Sequence, residues 1–188
     1  MTSVLWTKVE LPFQTVKLIM FALHTKKEAA HNDGIWCCDW RQVKDEEEDT
    51  VEEIIVTGGV DDVVKIWNYK EGELELKHQL TEHSLGVVSV ALSSDGRKVA
   101  SSSLDSVIIV WDTNTGAKIA TMDTGPVDAW SVIFTSDDQF VVSGTHSGAV
   151  NLFNVETGER IVQQMAVITE YSFKVNWSIT STARASSP

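Results

Sequence analysis

The chain is 188 residues long and 43% apolar, with 15 Lys and Arg against 27 Asp and Glu, a formal net charge of −12. That length holds one domain or two small ones, and the acidic balance argues against gripping nucleic acid through a broad positive field. The two cysteines are adjacent, Cys37 and Cys38. This points away from a disulfide framework and toward a reducing compartment, and no further thiols or converging histidines stand at zinc-ligand spacing.

Residues 1–28 open the chain. Their apolar run, Val16–Leu23, is interrupted by Lys17. It is too short to cross a membrane and lacks the basic flank and cleavage site of a signal peptide, so it reads as a strand. The residues ahead of it read as an extension. A first unit follows over 29–70. Ile35, Cys38 and Trp40 are expected to face the core on its first strand. Asp45–Asp49 with Glu52 and Glu53 place seven acids in nine positions. Like charges at that density cannot pack on one another, so they predict a solvated loop, with a docking site for a basic partner as the alternative. Ile54–Thr57 is the expected second strand, Gly58 and Gly59 allow a close turn, and Val63–Trp67 is the third strand.

The second unit, 71–112, is the most regular. Leu74, Leu76 and Leu80 predict an outer strand, His83 starts a crossing, and Val87, Val90 and Leu92 are expected in the core. Ser94-Asp95-Gly96 is a hairpin turn, because Gly tolerates positive φ. Val99–Asp112 reads as a hairpin turning at Asp105-Ser106 and ending in Trp111. The third unit, 113–158, has turns at Asn114-Thr115-Gly116 and Glu156-Thr157-Gly158, and Ser136-Asp137-Asp138 in place of an Asp-Gly turn. Arg160–Gln164 fits a last outer strand within 159–164. Over 165–188, Val167–Ile179 has strand character without a match to the hairpin pattern. Ser181–Pro188, biased to Ser, Ala and Pro, reads as disordered.

The units repeat. Trp111 lies 44 residues after Trp67, and Phe153 lies 42 after Trp111. Six residues before these aromatics stand Asp61, Asp105 and Ser147, and four before those stand Thr57, Ser101 and Ser143. His83 lies 28 before Trp111, Gly125 lies 28 before Phe153, and His31 lies 36 before Trp67, the excess falling in the acidic insertion. A period near 42 with four short strands per unit is the signature of β-propeller blades, so the fold class is all-β. His31, Thr57, Asp61 and Trp67 form one candidate polar tetrad, and His83, Ser101, Asp105 and Trp111 the other. Because the set recurs at the blade period beside a Trp, it reads as a structural network and not as a Ser-His-Asp nucleophile. In the third unit Gly125, Ser147 and Phe153 replace the His, Asp and Trp, so that blade is expected to rely on apolar packing. A glycine-rich phosphate loop with a Lys and an HExxH pattern are both missing from the sequence, so no cofactor is expected. Trp36, Val88 and Trp130 share one register, five after His31, His83 and Gly125. Trp36 and Trp130, with His146 and His31 near the same edge, form a candidate partner-binding rim, the alternative being that Trp36 and Trp130 fill the upper core.

The stretches AHNDGIWCCDW, ASSSLDSVIIVWD, TGPVDAW and SGTHSGAVNLFNVETG resemble the WD-repeat subunit shared by the superkiller (Ski) RNA-decay complex and the Paf transcription-elongation complex. That resemblance spans about 29–162. It implies a non-enzymatic, seven-bladed scaffold in the nucleus and cytoplasm. The implied partners are tetratricopeptide-repeat and helicase subunits of the Ski complex and subunits of the Paf complex, with no direct contact to nucleic acid or membrane. It also implies that Phe21–Thr25 is a ring-closing strand of the last blade. Two other readings are a WD-repeat adaptor of another assembly, such as a ubiquitin-ligase substrate receptor, and a hydrolase using Ser101 or Ser143. Three readable units where the resemblance implies seven give the expectation of a truncated or partial form with exposed strand edges.

Overall fold

The structure, a computed structural model, describes residues 3–10, 19–45, 50–125 and 129–165. Every regular element among them is a strand. β1 (Ser3–Glu10) and β2 (Ile19–Lys27) pair as an antiparallel hairpin. The residues expected as an extension therefore supply a strand, and Phe21–Thr25 lies within β2, paired to β1. Then come β3 (Ile35–Asp45), β4 (Thr50–Gly59), β5 (Val64–Lys70) and β6 (Glu73–Leu80), hydrogen-bonded in that order. β7 (Val87–Leu92), β8 (Lys98–Ser103), β9 (Val107–Asp112) and β10 (Lys118–Asp123) form the second four-stranded sheet. β11 (Ala129–Phe134), β12 (Phe140–Thr145), β13 (Ala149–Asn154) and β14 (Arg160–Met165) form the third. Three antiparallel four-stranded sheets that do not close into a barrel bear out the expected partial propeller. Trp67, Trp111 and Phe153 occupy the third strand of each.

The sheets are held face to face by the apolar residues that alternate along their strands. Val56, Val64 and Ile66 of the first sheet, each at 0% exposure, meet Val87, Val90, Leu92, Val99 and Trp111 of the second. Ala100, Ile108 and Val110 of the second sheet, also at 0%, meet Val132, Val141 and Phe153 of the third. Full burial of each aliphatic side chain stabilises by about 1.5–3 kcal/mol, so these two seams carry most of the cohesion.

Polar clasps add register between sheets. The Leu92 N–H donates to Asp39 Oδ2 at 2.8 Å. Asp138 accepts from the Ser94 N–H at 2.8 Å and from the Ser94 hydroxyl. Asp138 stands where Gly96 stands one blade earlier, and both take positive φ, 55° and 68°. Asp tolerates that conformation better than most residues, and here its carboxylate gains the neighbouring turn as a partner. At Gly96 a Cβ would come 2.2 Å from Val43 of the first sheet, so the close approach of the two sheets requires glycine there.

Two expectations need correction. Cys38 and Trp40 are exposed, Trp40 at 49%. They lie on the face of the first sheet turned away from the second, and no four-stranded sheet covers that face among the described residues. The outer strand expected from Leu74, Leu76 and Leu80 is β6, on which Leu76 is 48% exposed. The β5–β6 register shifts between Ile66 and Trp67, placing Leu74 in a cluster with Ala30, Ile55 and Trp67 and leaving Leu80 in the seam with the second sheet. The acidic insertion is only partly a loop. β4 begins at Thr50, so Glu52 and Glu53 are strand residues paired with Val43 and Gln42. Residues 46–49 lie outside the described residues.

Candidate functional site

The hairpins β4–β5 and β8–β9 and the crossings before β3 and β7 bring each tetrad together at one end of its sheet. Trp67 Nε1 donates to Thr57 Oγ1 at 2.9 Å, which lies 2.8 Å from His31 Nε2, and His31 Nδ1 lies 2.8 Å from Asp61 Oδ1. In the second sheet Trp111 Nε1 donates to Ser101 Oγ at 2.9 Å, Ser101 Oγ lies 2.8 Å from His83 Nε2, and His83 Nδ1 lies 3.0 Å from Asp105 Oδ2. The indole N–H must donate, so each hydroxyl donates on to Nε2, and the Nδ1–H donates to the carboxylate. Asp105 also accepts from the Ser84 and Val107 N–H groups at 3.0 Å.

This geometry does not serve nucleophilic catalysis. Ser101 is 0% exposed and its oxygen already accepts the Trp111 proton. Ser143 is equally buried, and Gly125 stands where a histidine would be needed. Cys37 is no better a nucleophile. Burial, aided by Cys38, pushes its thiol up to about 12, and the S–H points at the Gly58 and Val87 carbonyls at 3.7 and 3.6 Å. Cys38 is expected to be alkylated well before Cys37 at neutral pH, with peptide mass spectrometry after brief iodoacetamide exposure as the check. Among the described residues no group of three or more His, Cys, Asp or Glu could hold a metal.

Burial alone would raise the carboxyls of the tetrads. The His31 hydrogen bond and Asn32 N–H at Asp61, and the Ser84 N–H and His83 at Asp105, more than offset it and hold both below the ordinary value. A depressed folded-state pKa contributes stability above the unfolded pKa, and that contribution is lost as pH falls through the folded value. Thermal midpoints are therefore expected to be flat near neutrality and to fall below about pH 4. Asp61→Asn with Asp105→Asn should flatten the acid limb, and an unchanged limb in the double variant would contradict the assignment.

The third sheet lacks this network, and the consequence was not visible in the sequence. Ser143 Oγ and both amide atoms of Asn151 are buried without hydrogen-bond partners, and the two residues are directly paired across β12 and β13. Ser147 is exposed and bonds only to Thr145, at 3.1 Å.

The rim residues are placed by bulges. The inner-strand register shifts between Ile35 and Cys37, between Val87 and Ser89, and between Ala129 and Ser131. The residues skipped are Trp36, Val88 and Trp130. A bulge leaves its extra residue unpaired and re-aims the side chain, and Trp36 and Trp130 are 53% and 45% exposed. Trp36 lies against Gly86, where a Cβ would come 2.9 Å from the indole, beside Leu85, itself 50% exposed. Trp130 stacks obliquely on His146, ring centroids 6.1 Å apart. His31, by contrast, is buried in its tetrad at 3% exposure and offers nothing to the rim.

Comparison with known proteins agrees with this architecture. The family model "WD domain, G-beta repeat" matches residues 23–68 and 74–112. The chain is 38% identical over 141 residues to the WD repeat-containing protein SL1-17 of Schistosoma mansoni, covering 75% of this chain and 46% of that one. It is 30% identical over 125 residues to Superkiller complex protein 8 of Dictyostelium discoideum, covering 66% and 38%. It is 30% identical over 107 residues to the meiotic recombination protein rec14 of Schizosaccharomyces pombe, covering 57% and 35%. The chain thus spans less than half the length of these relatives. Repeat period, tetrads, stacked four-stranded sheets and these likenesses together make the chain a WD40-repeat protein related to the superkiller-8 and rec14 group.

Proposed function

We propose that this chain is a non-enzymatic protein-interaction module that docks partners on the bulge-presented rim. The carrying observation is the pair of indoles at equivalent inner-strand positions, Trp36 and Trp130, each about half-exposed with apolar or aromatic company. Large rigid aromatics held on a sheet lose little entropy on binding and are the side chains that most often dominate an interface. The likeness to Superkiller complex protein 8 favours partners of the Ski type, and the sequence resemblance adds tetratricopeptide-repeat and helicase subunits to the proposal. The sequence resemblance extends the proposal to Paf-type assemblies, and with it to both nucleus and cytoplasm.

Affinity capture of the full chain from native extract tests the reading. Recovery of tetratricopeptide and helicase subunits would support it, and recovery of ubiquitin-ligase adaptors alone would favour a different assembly. Trp36→Ala combined with Trp130→Ala is expected to weaken binding of a captured partner by at least about thirtyfold, on the order of 2 kcal/mol, with strand content by circular dichroism unchanged. Equal affinity in a titration would remove the rim from the proposal.

A further inference from the structure

The sequence holds two Asp-Gly pairs, Asp33-Gly34 and Asp95-Gly96. In such a pair the glycine amide nitrogen can attack the aspartyl side-chain carboxyl, because no Cβ shields it. The step is a condensation. The N–Cγ bond forms, the Cγ–OH bond breaks, and the hydroxyl leaves with the amide proton as water. Water then opens the five-membered imide at either carbonyl. One opening restores aspartate, and the other gives isoaspartate, whose backbone runs through the former side chain. The two groups react with each other alone, so local geometry decides which pair closes.

The structure holds the two pairs differently. Asp33 is exposed, on the crossing that leads into β3. The Gly34 N–H donates to Asp33 Oδ1 at 2.7 Å, so the attacking nitrogen already lies against the carboxyl group it must close on. Asp95 sits on the turn between β7 and β8. Its Oδ1 accepts from the Ser93 hydroxyl at 2.6 Å and from the Arg97 N–H at 2.9 Å. The Gly96 N–H donates to the Ser93 carbonyl at 3.1 Å, away from that carboxylate. Both reacting groups of the second pair are therefore committed elsewhere.

We propose that Asp33 is a site of spontaneous isomerisation to isoaspartate, and that the first tetrad is the structure this change disrupts. The crossing is clamped on both sides of Asp33. The Asn32 N–H donates to Asp61 Oδ2 at 2.9 Å, and the Val60 N–H donates to the Gly34 carbonyl at 2.8 Å. Isoaspartate adds one carbon to the backbone between those clamps, so at least one of them must give. Asp61 is also the acceptor of His31, and a shift at the first clamp therefore passes into the tetrad.

Ageing the full chain in heavy-oxygen water at neutral pH tests the proposal, because each opening of the imide adds one heavy oxygen. Peptide mass spectrometry is expected to find Asp33 labelled at least about tenfold faster than Asp95, since closure at Asp95 must first break hydrogen bonds to both reacting groups. In urea the two rates should converge. Gly34 lies outside the left-handed region, so Gly34→Ala is tolerated and should slow labelling at Asp33 while leaving Asp95 unchanged. Asp33→Glu, which would have to close a six-membered ring, should show no label at that position. Chains carrying isoaspartate at position 33, separated by chromatography, should exchange the amides of β3 and β4 faster than unmodified chains, with β8 and β9 unaltered. Equal labelling of the two pairs in the folded chain would overturn the proposal. So would a ratio that persists unchanged in urea, because the sequence and not the fold would then set it. Unaltered exchange in the isomerised chain would overturn the assignment of the tetrad as the structure disrupted.

Discussion

Asp105→Ala is expected to destabilise the second sheet by about 2–3 kcal/mol, because it strands three donors at once. These are the His83 ring N–H and the backbone N–H groups of Ser84 and Val107. His83 and Ser101 lie within the fold, so the His83 ring N–H loses its acceptor where water does not reach, whereas the exposed Ser84 N–H can be hydrated. Losing one partner of a buried polar pair costs more than never having built the pair, since the orphaned group keeps its desolvation penalty. The third sheet supplies the opposite case in the same molecule. Asn151 already has no partner, so Asn151→Leu removes an unmet amide and is expected to be neutral or stabilising. Ser147→Ala, on an exposed turn, should stay within about 0.5 kcal/mol. Urea denaturation of the three variants is the measurement. Similar losses for Asp105→Ala and Asn151→Leu would refute the network account.

That contrast shows where sequence reading reached and where it stopped. His83, Ser101, Asp105 and Trp111 meet in the structure, and their chemistry was legible because four polar types recur at one period. The decay of the third unit was legible as substitutions, but the orphaned Asn151 was not, since nothing local marks a residue on a strand as both polar and covered. The bulges were hidden for a related reason. A one-residue shift leaves no signature when the sequence is read at period two, so Trp36 and Trp130 could be set in register while their outward aim could not be derived. The Asp138 clasp on Ser94 depends on two turns 44 residues apart becoming neighbours, a contact that exists only once the sheets are stacked. Trp40 and Cys38 failed for the converse reason. They alternate correctly for an inner strand, but core-facing status needs a covering sheet as well as a pattern.

Ile66→Ala is expected to cost about 3–4 kcal/mol, the largest effect of any single truncation considered. Ile66 is fully buried at the seam where the second sheet lies on the first. Its removal leaves a cavity in a seam of mostly β-branched side chains on paired strands, so the surroundings collapse only partly to fill it. The loss also has a direction. In a stacked array, stability is the sum of each unit and the interface to its neighbours, and Ile66 belongs to an interface. The variant should therefore lose cooperativity between the first and second sheets as well as midpoint. Hydrogen exchange is expected to show the amides of β3–β6 opening at a lower free energy than those of β8–β9 in the variant, and the two sets opening together in the wild-type chain. Leu76→Ala, on the exposed part of the outer strand, should leave both midpoint and cooperativity within about 0.5 kcal/mol of wild type. If Ile66→Ala shifts the melt without separating the sheets, the seam is not the coupling element, and the polar clasp from Leu92 N–H to Asp39 must carry the coupling instead.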